Sequence, residues 1–451
     1  MERESRLKIG CALMTCLTIP LMLCAAAVVF GPGLNLNGVS LPGARASAPA
    51  VDRLAVIGED GNVYVLDRSG QSRVALTTNA ALAQSAAVRR LYAFPNWSPD
   101  SEQVAFVGLS SENGGKASLF AAGIKDVRSE TQPLELYSSE DNFPFFLFWS
   151  PNSKRVAFLA QNDQEMSLNT ANADGSGTQE LGKGAPFYIS WSPDSQSLVS
   201  HVGGSRRQSA DAFIGLHSLT TLGQPQHLSI APGNFLAPAW SPAGNEILMA
   251  LASPDNRSDT LVVSDSRGEQ TRTLAQYAGN VGFAWSRDGK HIAYLITQQT
   301  SAGLKSELHM VNADGSHELL IADDSPVAFF WSPDSAKIAM LTRASGGQGG
   351  LVFTGDNRQQ AQLRLTWKVV TVADNKVSSL VTFVPTDAFA SLLPYFDQYA
   401  QSLQIWSPDS QAVVYAAQEN DGTEAIYVAD TSRGEQARRL TTGSIGVWSY
   451  R

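Results

Sequence analysis

Trp97-Ser98-Pro99-Asp100, running into the apolar stretch Val104-Ala105-Phe106-Val107, is the segment on which the fold turns. The four-residue turn, or a near variant, returns as Trp149-Ser150-Pro151-Asn152, Trp191-Ser192-Pro193-Asp194 and Trp240-Ser241-Pro242-Ala243. It comes again as Trp285-Ser286-Arg287-Asp288, Trp331-Ser332-Pro333-Asp334 and Trp406-Ser407-Pro408-Asp409. The Trp residues of successive turns are 52, 42, 49, 45, 46 and 75 residues apart. In each unit an apolar strand ends at the Trp and Ser-Pro-Asp reverses the chain. Pro presets φ for the turn, while the Ser and Asp side chains can hold nearby backbone groups. A second strand follows, as in Val156-Ala157-Phe158-Leu159 or Ile292-Ala293-Tyr294-Leu295. The third is clearest in Ala425-Ile426-Tyr427-Val428, and the fourth is Arg439-Leu440-Thr441, Arg272-Thr273-Leu274 or Gln226-His227-Leu228. A period in the forties with four short strands per unit predicts the blades of a propeller. The once-per-unit Trp is expected between neighbouring blades, where its large flat area is best buried.

The two ends of this region complement each other. Gly446-Val447-Trp448-Ser449-Tyr450-Arg451 begins another repeat, and Arg53-Leu54-Ala55-Val56-Ile57 reads as the second strand of one. Asn62–Asp67 and Val74–Thr77 supply the third and fourth. One blade should therefore be shared between the ends, which removes exposed sheet edges. Seven whole units and the shared one give an all-β, eight-bladed β-propeller over residues 53–451. Seven blades is the alternative, should one divergent unit fail to form a sheet.

The Trp-Ser-Pro-Asp/Asn turns with their following strands resemble the WD40-like repeats of TolB-type propellers, and those in the propeller of prolyl-oligopeptidase-like peptidases. The resemblance spans residues 53–451 and implies the fold. It implies little of function, because propellers host many unrelated activities. A peptidase of that kind needs a hydrolase domain with a Gly-x-Ser-x-Gly elbow. The sequence contains none; Gly443-Ser444-Ile445-Gly446 matches in composition only.

Ahead of the propeller, Arg3, Arg6 and Lys8 precede an uncharged stretch of 22 residues, Ile9 to Phe30. That length crosses a bilayer core of ~30 Å as a helix. The positive flank places the rest of the chain outside the cytoplasm. Residues 1–30 are thus expected to be a cytoplasmic tip and transmembrane anchor, and 31–52, rich in Gly, Pro, Ala and Ser, a flexible linker. The alternative is a secreted protein whose signal is cleaved at Ala44-Arg45-Ala46 or Ala46-Ser47-Ala48. All three cysteines, Cys11, Cys16 and Cys24, lie in the apolar run, so the propeller can have no disulfide, zinc-thiolate cluster or cysteine nucleophile. Net charge is -9, with +2 in residues 1–50 and therefore -11 in the remainder. An acidic body argues against a nucleic-acid footprint.

The residues carry no catalytic constellation. His201, His217, His227, His291, His309 and His317 show no i,i+4 pair, so no metal ligands are selected. Glu59-Asp60-Gly61 and Asn420-Asp421-Gly422 lack the rest of a calcium loop, and Gly346-Gly347-Gln348-Gly349-Gly350 lacks the Lys-Ser/Thr of a phosphate loop. No cofactor is implied.

Two departures from the plain repeat bear on binding. The interval from Trp331 to Trp406 contains a longer hairpin around 343–362 and an insertion at 386–402. The insertion reads as a short amphipathic helix interrupted by Pro394, with Tyr395, Phe396 and Tyr399 on it. Aromatics also gather before several Trp residues, among them Phe143, Phe145, Phe187 and Phe235. Alternate members must be blade core. Together with the insertion, the others are candidates for an apolar mouth on the face where the inner strands begin. The expectation is a non-enzymatic, extracytoplasmic binding or scaffold propeller engaging an envelope or surface protein, a peptide or a glycan. The alternative is a hydrolase or lyase acting on a glycan or small molecule, with carboxylates or histidines converging in the central funnel.

Overall fold

The computed structural model describes residues 52–83, 88–112, 115–124, 132–221, 223–234, 237–253, 258–301, 303–344, 363–432 and 437–451. The expected anchor 1–30, the linker up to residue 51 and the hairpin at 345–362 lie outside the described residues. Among the described residues no helix is long and apolar enough to cross a membrane.

Eight antiparallel sheets form the eight blades of a propeller. In chain order they are blade 1 (53–75 with Ile445–Trp448), blade 2 (90–139), blade 3 (143–183), blade 4 (187–227), blade 5 (239–277), blade 6 (280–322), blade 7 (326–383) and blade 8 (406–442). Seven have four strands. Blade 8 has three, its inner strand reduced to a bridge between Trp406 and Val413. The shared blade closes as the ends of the repeat region predict, with Leu54 opposite Trp448, Ala55 opposite Val447, Val56 opposite Gly446 and Ile57 opposite Ile445.

The repeated turn explains itself atom by atom. Ser98 Oγ donates to Asp100 Oδ1 at 2.6 Å and accepts the Gln103 N–H at 3.0 Å, while Asp100 Oδ1 takes the Glu102 N–H at 3.0 Å. The same pattern recurs at Ser192, Ser332 and Ser407. Buried polar groups of the turn are thereby paired within it.

Two further links join most neighbouring blades, although the indole nitrogens of Trp240 and Trp448 have no partner. The Trp indole N–H donates to the carbonyl just before the Trp of the preceding blade: Trp149 to Asn96 at 3.0 Å, Trp191 to Phe148 at 2.9 Å and Trp406 to Phe330 at 3.0 Å. The residue after the turn aspartate has a left-handed backbone, φ 61° at Ser101, 59° at Ser153 and 63° at Ser195. Its hydroxyl receives a backbone N–H from the preceding turn, as from Asp100 to Ser153 and from Asn152 to Ser195, both at 3.0 Å. Blade 5 makes neither link back to blade 4, since Gly244 stands where the hydroxyl is needed and the half-buried Trp240 has an indole nitrogen without a partner. Gly289 likewise removes the hydroxyl link from blade 6 to blade 5 and leaves the Trp285 indole on Ala239 C=O at 3.2 Å.

Candidate functional site

The insertion occupies the centre of the ring. Thr386 caps α1 (Asp387–Ala390), accepting the Phe389 N–H at 3.2 Å. Pro394 lies in the 3-10 turn Leu393–Tyr395, after which α2 (Phe396–Ser402) resumes the helix. The Phe396 ring lies 5.3 Å from Phe329 of blade 7 and covers Gly282 of blade 6, where a Cβ would fall 2.4 Å from its Cζ. Gly282 is therefore required by close approach. Tyr399 meets Phe146 of blade 3 at 5.3 Å, and Tyr395 meets Tyr188 of blade 4 at 6.5 Å. The polar side chains of α2 pair with backbone of the inner strands. Gln398 Oε1 accepts the Ile189 N–H at 2.7 Å and its Nε2 donates to Ile189 C=O at 2.6 Å, as a neighbouring strand would. Asp397 accepts the Ala237 N–H at 2.9 Å, Gln401 donates to Pro238 C=O at 3.3 Å, and Ser402 C=O accepts from Asn96 at 3.1 Å. One helix thus touches the inner edge of blades 2 through 7.

Asp397 is 4% exposed, and no cation pairs with it among the described residues. Burial pushes its carboxyl up to about 6, while the hydrogen bond from Ala237 works in the opposite sense. Because this lies above the 3.8 of an ordinary aspartate, the group adds stability at acid pH and loses that contribution as pH rises through about 6. Asp397→Asn is expected to stabilise the protein by about 1–3 kcal/mol at pH 7, at ~1.4 kcal/mol per pKa unit, and to have little effect near pH 4. Denaturant titrations at the two pH values read this, and a loss of stability at pH 7 would show that the ionised form is supported.

The opposite end of the axis, where the Ser-Pro-Asp turns gather, is built differently. The Arg287 guanidinium reaches from blade 6 to Gln404 Oε1, beside the inner edge of blade 8, and stands 5.6 Å over the Tyr450 ring. The Tyr450 hydroxyl donates to Ser402 C=O at 3.4 Å, where α2 ends. Arg287 is exposed to solvent yet ringed by protein atoms, and this enclosure lowers its pKa while the nearby Tyr450 opposes the shift.

The candidate aromatics separate on inspection. Phe396 and Tyr399 are buried and fill the channel, whereas Tyr395, Phe143 and Phe145 are half-buried. Phe187 is buried in the inner strand of blade 4, and Phe235 lies outside the described residues. The ring that meets the insertion in blade 3 is Phe146, which strict alternation from Phe143 and Phe145 assigns to the other side. A bulge between Phe145 and Leu147, with Phe146 at φ 43°, inverts that parity.

Sequence spacing also conceals a serine–histidine pair. Ser200 Oγ lies 2.8 Å from His217 Nε2, and His217 Nδ1 lies 3.2 Å from Leu181 C=O of blade 3. Both side chains are buried, and burial lowers the histidine to about 4. A sealed, neutral pair that ties blade 4 to blade 3 offers a substrate no access. Among the described residues no group of three or more His, Cys, Asp or Glu could hold a metal ion.

Residues 153–368 match the family model of the TolB beta propeller domain. Among solved structures, the chain is similar to a prolyl endopeptidase, at 13% identity and a TM-score of 0.53, over 79% of this chain and 50% of that one. It is also similar to a eukaryotic initiation factor, at 11% identity and a TM-score of 0.50, over 89% of this chain and 99% of that one. TolB from Acinetobacter baumannii is 14% identical over 82% of this chain and 87% of its own, with a TM-score of 0.38. At these identities the structural likeness is one of fold. The family model thus covers the central blades of this chain, and the same Trp-Ser-Pro turns run on beyond both ends of the matched region.

Proposed function

We propose that the protein is a non-enzymatic binding propeller, held on the extracytoplasmic side of a membrane by its Ile9–Phe30 segment and engaging an envelope or surface protein or peptide. The TolB-type fold supports a binding or scaffold role in general. The observation that carries the reading is the filled axis. α2 takes the space in which a funnel enzyme would hold its substrate, and its one carboxylate there, Asp397, is committed to the Ala237 N–H. A rigid ring with short loops then presents a broad preformed surface at little ordering cost.

The experiment uses the full-length chain in its own envelope. A reporter active only outside the cytoplasm, fused after residue 451, should be active, and the protein should fractionate with membranes at full length. Crosslinking in those membranes should trap a discrete protein partner. A silent reporter, a soluble form beginning near Ser47, or turnover of a glycan by the purified protein would each overturn part of this reading.

A further inference from the structure

We propose that the mouth of the channel on the turn face is a carboxylate-binding site anchored by Arg287. The inference rests on the binding reading above and names the chemistry that the partner presents. Six of the seven complete turns carry proline in the third position: Pro99, Pro151, Pro193, Pro242, Pro333 and Pro408. Blade 6 alone puts a cation there. The turn itself does not need it. Gly289 N–H reaches Ser286 C=O at 3.0 Å and Ser286 Oγ reaches Asp288 Oδ1 at 2.7 Å, as in the proline-bearing turns.

No ion pair explains the arginine either. Among the described residues no carboxylate lies within salt-bridge reach of the guanidinium, and the adjacent Asp288 faces Lys290 at 3.4 Å. The guanidinium instead spans the mouth to Gln404 Oε1 and lies over Tyr450. With its oxygen engaged, Gln404 is left with a buried Nε2 that has no hydrogen-bond partner. One neutral acceptor thus meets a fork of five donors, and a second donor group beside it is unspent.

The surroundings select the ligand. A charge in a concave enclosure attracts counter-charge more strongly than one on a flat surface. A planar guanidinium fork matches a carboxylate in two-point contact. The neighbouring turns bear Asp288, Asp334 and Asp409, so a multiply charged anion meets repulsion that a single carboxylate largely escapes. That carboxylate belongs to a peptide segment of the partner, either an acidic side chain or a chain terminus.

The test titrates full-length protein, with isotope-labelled arginine side chains, against three short peptides at constant ionic strength. One is acetyl-Gly-Asp-Gly-amide, one is acetyl-Gly-Gly-Gly with a free carboxylate, and the control is acetyl-Gly-Gly-Gly-amide. The Arg287 Nε–H resonance, assigned by its absence in Arg287→Lys, should shift saturably with at least one carboxylate peptide and not with the control. Which of the two binds tells side chain from terminus. By calorimetry Arg287→Lys should weaken binding about tenfold, and Arg287→Pro should abolish it. Arg287→Pro restores the residue of the six sibling turns and should melt as the wild type does. Should it fail to fold, Arg287→Gln serves in its place. No saturation by either carboxylate peptide, or unchanged affinity without the arginine, would overturn the site. A membrane partner still crosslinked by Arg287→Pro would leave the binding reading standing and remove this site from it.

Discussion

Deletion of residues 445–451 is expected to destabilise the propeller so strongly that it no longer unfolds as one cooperative unit. Ile445, Val447 and Trp448 are buried, and at roughly 1.5–3 kcal/mol each their removal alone is comparable to the whole stability of many domains. The same segment supplies Val447 C=O to the Trp97 indole at 3.3 Å and Ser449 Oγ to the Arg53 N–H at 3.0 Å. Its last backbone amides, at Tyr450 and Arg451, both donate to Ser101 Oγ at 3.0 Å. The deletion leaves Leu54–Ile57 as an open edge and separates blade 1 from blade 2. Calorimetry checks this against the ~1 kcal/mol of an ordinary point mutation. A truncated protein melting within a degree or two of the intact one would sink the closure argument.

Trp191→Ala is expected to cost about 3–5 kcal/mol, the range for deleting a large buried ring. Trp191 is 4% exposed, and its indole holds Phe148 C=O of the neighbouring blade at 2.9 Å. The informative companion is Trp240→Phe. Its indole nitrogen has no partner and the ring is half-buried, so the loss should stay below about 1 kcal/mol. Trp191→Phe, which removes a satisfied donor, should cost more than Trp240→Phe. Equal costs would show that the indole–carbonyl link contributes nothing beyond packing.

The architecture was legible because it is carried by residues that recur. Seven turns of one chemistry, a long interval broken by Pro394 and two complementary ends give the blade count, the insertion and the closure. What the sequence concealed depends on geometry without period. The bulge at Phe146 adds one residue to a strand and reverses which aromatic meets the axis. Ser200 and His217 lie 17 residues apart with no local pattern, and meet only because strands 197–202 and 213–218 pair. The backward link from each serine after the turn was hidden in plain view, since hydroxyl and glycine both suit a left-handed position. That α2 would be drawn into the ring is visible in retrospect from Gly282, the inner-strand glycine over which Phe396 sits. From the sequence alone, the rings of the insertion are equally compatible with exposure.

The links between blades have a consequence for how the ring knows its size. Most blades offer their neighbour the same indole, carbonyl and hydroxyl, so these links alone do not count the blades. A seven- or nine-membered circle would satisfy these pairings equally well. α2 is the part that is not indifferent. Its side chains must reach the inner edges of five blades at once, with Gln398 on Ile189, Asp397 on Ala237 and Phe396 on Gly282, while its last carbonyl takes the Asn96 amide of a sixth. A narrower circle has no room for it and a wider one leaves its polar atoms unmatched. The helix is a gauge block, and the circumference of the propeller is measured from within.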